Sequence, residues 1–80
     1  MRLDKYLKVS RIIKRRTIAN EACDAGRVIV NTKEAKASYD VKPGDVIEIR
    51  FGGKLTKLEV LQVKEVVRKE EAGLMYKVLE

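Results

Sequence analysis

At Gly26 the spacing of apolar residues changes period, and a fold of one secondary-structure class cannot accommodate that change. Before it, Leu3, Tyr6 and Leu7 recur at i, i+3 and i+4, and Ile18, Ala19, Ala22 and Cys23 repeat the helical spacing. After it, Val28-Ile29-Val30 is a run of β-branched residues, and over residues 46–51 Ile47, Ile49 and Phe51 alternate with Val46, Glu48 and Arg50. That alternation is the two-residue period of a strand. Helices that precede strands, rather than interleave with them, predict an α+β domain.

The boundaries follow from local chemistry. A first helix is predicted over residues 2–9, with Asp4 in the first turn, where the helix dipole favours an anion. A second is predicted over residues 18–25, with Thr17 as its N-cap, although Asn20 stands where a complete capping box would carry Glu or Gln. Gly26 is the expected C-cap. Beyond it come a strand at 28–30, a turn at Asn31-Thr32-Lys33, an irregular extended piece at 35–39, and a turn at Pro43-Gly44-Asp45. That turn launches the strand at 46–51, whose core face should be Ile47, Ile49 and Phe51. A longer strand is predicted from about 55 to 67, and its inconsistent apolar parity calls for a bulge near Val60-Leu61. A hairpin loop at 68–73 and a strand at 74–79 complete the chain. The expected architecture is two short N-terminal helices packed on a small, mostly antiparallel, coiled sheet of four to five strands, within a single domain spanning 1–80.

Eighty residues are close to the size at which one core is only just sufficient. That length favours a binding module over an enzyme with an enclosed cleft. There is no histidine and only one cysteine, Cys23, which removes an intramolecular disulfide, a Cys/His zinc site and any histidine base. No metal or cofactor is implied, and Cys23 reads as core packing. No apolar run is long enough for a signal peptide or a membrane span, so a cytoplasmic, unexported monomer is expected.

The formal charge is +6, and it is confined to one place. Residues 1–16 hold seven cations, Arg2, Lys5, Lys8, Arg11, Lys14, Arg15 and Arg16, against the single anion Asp4, whereas the other 64 residues carry equal numbers of each sign. Such asymmetry points to a polyanion, nucleic acid above all. Arg2, Arg15 and Arg16 are the leading phosphate ligands, because a planar guanidinium grips phosphate through paired hydrogen bonds. Lys5, Lys8, Arg11 and Lys14 are expected to supply general attraction. For Asp4 two roles stand open: compensating the helix dipole while pairing Lys8 at i+4, or orienting an arginine. Thr17, Asn20 and Arg27 flank the same surface, and Arg27 and Lys33 extend it towards the first strand. Tyr6 and Tyr39 are candidates for base stacking, with core-edge packing the stronger reading for Tyr6. Glu59, Glu65, Glu70 and Glu71 are placed away from the basic end.

The order of RLDKYL, a cationic turn before a second helix, Gly26 leading into RVIVN, and YDVKPGDVIEI resembles the RNA-binding domain named after the fourth small-subunit ribosomal protein. The similarity covers roughly residues 1–51. It implies that the two helices and their connecting turn present a basic surface to structured RNA, with Arg2 and Arg16 foremost. Among free-standing members the chain most resembles the P-site factors of bacterial ribosome quality control, and more distantly the ribosome-associated heat-shock protein of enterobacteria. The first resemblance implies binding to 23S rRNA and P-site peptidyl-tRNA on stalled large subunits. It also implies support of template-free C-terminal tailing, together with a factor that recruits alanyl-tRNA. One departure is visible: the family's Asn-Gly turn after the first strand is Asn31-Thr32 here. Alternatives are a general ribosome-biogenesis or subunit-recycling factor, and a binder of membranes or acidic proteins. The latter is disfavoured because the apolar side of the helices should be consumed by the core.

Overall fold

The computed structural model describes residues 1–79. Helix α1 spans Leu3–Val9 and α2 spans Arg16–Asp24, followed by strands β1 (Val28–Val30), β2 (Lys33–Glu34), β3 (Val46–Phe51) and β4 (Lys54–Val60). A short 3-10 helix at Lys69–Leu74 then leads into β5, Tyr76–Leu79. The five strands form one sheet in the order β2-β1-β3-β4-β5, every neighbouring pair antiparallel. The α+β architecture is therefore the one the change of period predicts.

One core lies between the helices and the sheet. Leu3, Tyr6 and Leu7 from α1 and Ala19, Ala22 and Cys23 from α2 meet Val28, Val30, Ile47, Ile49, Leu58 and Val60 from the sheet. The small residues on α2 let the helices approach closely. Cys23 is buried, and its thiol is pushed up to about 11 by burial first, then by the charges of Asp4 and Asp24. It is a packing residue with no nucleophilic character.

Helix α2 ends in a Schellman motif: the Arg27 amide donates to the Ala22 carbonyl at 3.0 Å and the Gly26 amide to that of Cys23 at 3.0 Å. Gly26 adopts φ +73°, which favours glycine, and a Cβ there would stand 2.6 Å from Oε1 of the exposed Glu34 side chain, which would have to swing aside. The hairpin β1-β2 turns through Asn31 (φ 51°) and Thr32 (φ 72°), both left-handed, as a type I′ turn requires. The Asn-Gly geometry thus survives the threonine. Asn31 also ties this turn to Asp45, donating from Nδ2 to Oδ1 at 3.0 Å, while Tyr39 Oη donates to Asp45 Oδ2 at 2.9 Å.

Several boundaries differ from expectation. Helix α2 begins one residue before Thr17, with Arg15 at the N-cap and no side-chain cap bond, so Thr17 is an exposed helical residue. Ile18 lies at the edge of the α2 apolar stripe and is exposed, and Phe51, the last residue of β3, paired with Lys54 beside the turn, is exposed as well. Strand β4 stops at Val60 without a bulge. The amides of Leu61 and Gln62 both donate to the Met75 carbonyl, at 2.8 and 3.1 Å, which turns the chain out of the sheet. The opposite-parity residues Val63 and Val67 then pack against the core from the β4-β5 connection. Residues 35–39 form an irregular connection rather than a strand.

Candidate RNA-binding surface

The seam between α1 and α2 is organised by one carboxylate. Asp4 is the second residue of α1, and its side chain is 3% exposed, whereas those of Arg2 and Arg16 are 51% and 48% exposed. Arg2 Nε donates to Asp4 Oδ1 at 3.2 Å, Arg16 Nε lies 3.4 Å from Oδ2, and Asn20 Nδ2 donates to Oδ2 at 3.2 Å. The Lys5 amide adds a bond to Oδ1 at 2.8 Å. Burial pushes the Asp4 carboxyl up, but the bonds from Asn20, Arg2, Arg16 and the Lys5 amide outweigh it and hold the group below the ordinary carboxylate range. Asp4 is therefore a fixed anion.

Asp4 keeps its place in the first turn of α1, but its side-chain partners are not the one the i+4 spacing suggests. No Asp4–Lys8 pair forms; the carboxylate instead binds two arginines from opposite sides of the helix seam and leaves each guanidinium half in solvent. Both forks are pre-positioned and retain free N–H donors, which is the geometry that phosphate recognition uses. Arg16, Thr17, Asn20, Glu21 and Asp4 line a shallow recess of about 370 Å³ at this seam.

The remaining sequence candidates divide. Lys8, Arg11 and Lys14 are exposed and gather at a second recess, beside the turn between the helices. Arg15 is exposed at the N-cap of α2. Lys5 is engaged in an ion pair with Glu65, 60 residues away in sequence. Glu65 accordingly sits at the basic end, not away from it. Arg27 lies past the far end of α2, beside Ile18 and Phe51, and is not brought to the Asp4 cluster. Lys33 is exposed on β2, the outer strand of the sheet. Tyr6 is fully buried and donates its hydroxyl to the Met75 carbonyl at 2.8 Å, so it offers no stacking face. Tyr39 is half-buried, and its hydroxyl is engaged by Asp45. Among the described residues, no cluster of three or more His, Cys, Asp or Glu side chains is placed to hold a metal ion.

Two short helices carrying a basic seam, mounted on a small antiparallel sheet, define the S4 domain class, and the S4 domain family matches residues 1–47. The chain is 57% identical over 79 residues to the RQC P-site tRNA stabilizing factor of Bacillus subtilis, covering 99% of this chain and 92% of the relative. It is 60% identical over 78 residues to the protein of the same name from Halalkalibacterium halodurans, covering 98% and 89%. The trimeric structure of Vibrio cholerae Heat Shock Protein 15 superposes with a TM-score of 0.91 at 30% identity, covering 99% of this chain and 81% of that one. The chain belongs to the S4 domain family, within the group of RQC P-site tRNA stabilizing factors.

Proposed function

We propose that this protein is a non-catalytic RNA-binding factor that holds P-site tRNA on stalled large ribosomal subunits, gripping tRNA and 23S rRNA through the backbone. The single observation that carries the reading is the pair of half-exposed guanidiniums that share buried Asp4. Two arginines sharing one carboxylate form a double fork, suited to backbone phosphates and indifferent to base sequence. Recognition by shape suits an A-form duplex, whose deep major groove side chains cannot read. The scarcity of free aromatic faces at this end agrees with it.

Relatives named RQC P-site tRNA stabilizing factor at 57% and 60% identity support the ribosomal setting. In that setting the protein acts in the cytoplasm, alongside a tailing factor that recruits alanyl-tRNA and extends the nascent chain without a template. No helix of the described residues is long and apolar enough to cross a membrane.

The test combines Arg2→Ala and Arg16→Ala in one chain and follows sedimentation with large subunits. Circular dichroism checks that the variant is folded. Wild-type protein is expected to travel with a split large subunit bearing tRNA, and the double variant to leave that fraction. Normal co-sedimentation of the folded double variant refutes the site. Recovery of an empty assembly precursor with the wild type refutes the quality-control role in favour of biogenesis.

A further inference from the structure

The cations that the Asp4 cluster does not use converge elsewhere. Lys8 from α1, Arg11 and Lys14 from the turn between the helices, and Lys69 from the 3-10 helix line a recess of about 470 Å³ that shares no residue with the Asp4 seam. All four lining residues are cationic and exposed, and none is in an ion pair among the described residues. Glu65 borders Lys8 and Arg11 in an adjoining groove and is itself engaged by Lys5, and Glu70 and Glu71 follow Lys69 in the first turn of the 3-10 helix. Four like charges around one hollow repel one another, an arrangement that a bound polyanion relieves.

The backbone supplies a second, independent observation. Arg11 follows the C-cap of α1 and adopts φ 63°, its amide donating to the Lys8 carbonyl at 3.0 Å. The same left-handed position after α2 is taken by Gly26, the residue that occupies it at least cost. An arginine there is strained, and strained backbone clusters at functional sites, although Asn31 and Thr32 hold the same conformation in a hairpin turn. The left-handed turn places the guanidinium at the rim of the recess.

We propose that Lys8, Arg11, Lys14 and Lys69 form a second phosphate-binding site, which holds a different stretch of RNA backbone from the one gripped by Arg2 and Arg16. The proposal rests on the RNA-binding reading and deepens it. Lys69 lies outside the stretch matched by the S4 domain family. The C-terminal connection therefore contributes directly to binding, and does more than close the core.

The test uses Lys69→Gln and Arg11→Gly in the full chain, with large ribosomal subunits purified with tRNA bound as the probe. Affinity is measured by fluorescence anisotropy across a salt series. Each variant is expected to bind about three- to tenfold more weakly, as loss of one charge-assisted contact implies, with a salt slope shallower by about 0.7–0.9. Arg11→Gly is expected to melt no lower than wild type, which separates the binding defect from folding. Wild-type affinity and slope in both variants, with Arg2→Ala/Arg16→Ala still failing to bind, would overturn the second site and leave the first standing. Failure of the wild type itself to bind refutes the RNA-binding reading instead. A defect seen only on phosphatidylserine vesicles, with subunit binding intact, reassigns the recess to lipid headgroups and also overturns the proposal.

Discussion

The buried carboxylate of Asp4 contacts two surface arginines, so one residue bears on both the fold and the proposed RNA-binding site. Asp4→Asn keeps the side-chain volume but places an amide N–H₂ among donors from Arg2, Arg16, Asn20 and the Lys5 amide. The expected cost at neutral pH is about 1–3 kcal/mol, that of leaving buried donors poorly matched. Affinity for tRNA-bearing large subunits should fall at the same time, because the forks lose their anchor. The pH dependence has a fixed sign. The folded-state pKa of Asp4 is depressed, so its contribution is full above the ordinary carboxylate value and is lost as pH falls through the folded pKa. Urea titrations at a series of pH values should therefore show wild type and Asp4→Asn converging below about pH 4. A constant gap across that range would mean the carboxylate's charge contributes nothing. The sequence raised both roles of Asp4, and what it could not show is that the seam places Arg16 and Asn20, 12 and 16 residues away, on the same carboxylate.

At the level of elements, legibility tracked the range of the interactions that decide each boundary. Helix α1, strand β3 and the Pro43-Gly44 turn rest on periodicity and local turn chemistry and lie where those signals put them, and α2 exists as predicted although its start does not. The end of β4 does not. It is set by the Met75 carbonyl, which accepts from Leu61, Gln62 and the Tyr6 hydroxyl, and no pattern within residues 55–67 encodes that meeting. The Lys5–Glu65 pair and the approach of Lys69 to Lys8 are equally invisible to local reading. Thr17 failed as a cap because α2 starts two residues early, where Arg15 takes the extended N-cap conformation. The β1-β2 turn is the element where a local rule is broken and the geometry persists. Thr32 holds φ 72°, and an L-residue there costs about 1–2 kcal/mol. Glycine removes that strain but adds about 0.5–1 kcal/mol of unfolded-state entropy. Thr32→Gly should therefore stabilise the protein by roughly 0.5–1 kcal/mol, raising the melting temperature by about 2–8 °C. Calorimetry that found it destabilised would show that the hydroxyl or methyl makes a compensating contact.

For the molecule as a whole, the distribution of charge predicts how binding responds to salt. The excess of +6 lies in the first sixteen residues, but the fold does not leave all of it free. Lys5 is offset by Glu65, and Arg2 and Arg16 share the charge of Asp4 while keeping outward N–H groups. Lys8, Arg11, Lys14 and Arg15 have no ion-pair partner among the described residues, and Lys69 adds a fifth free cation from the C-terminal connection. If five or six of these groups neutralise phosphates, log affinity should fall against log salt with a slope of roughly −4 to −5. Doubling the salt should then weaken binding by roughly 16- to 32-fold. A recognition surface built mainly from aromatic stacking or apolar contact would respond far less. A slope shallower than about −2 would mean that no more than two or three cations meet phosphate, too few for the arginine pair and the lysine recess to act on the RNA together.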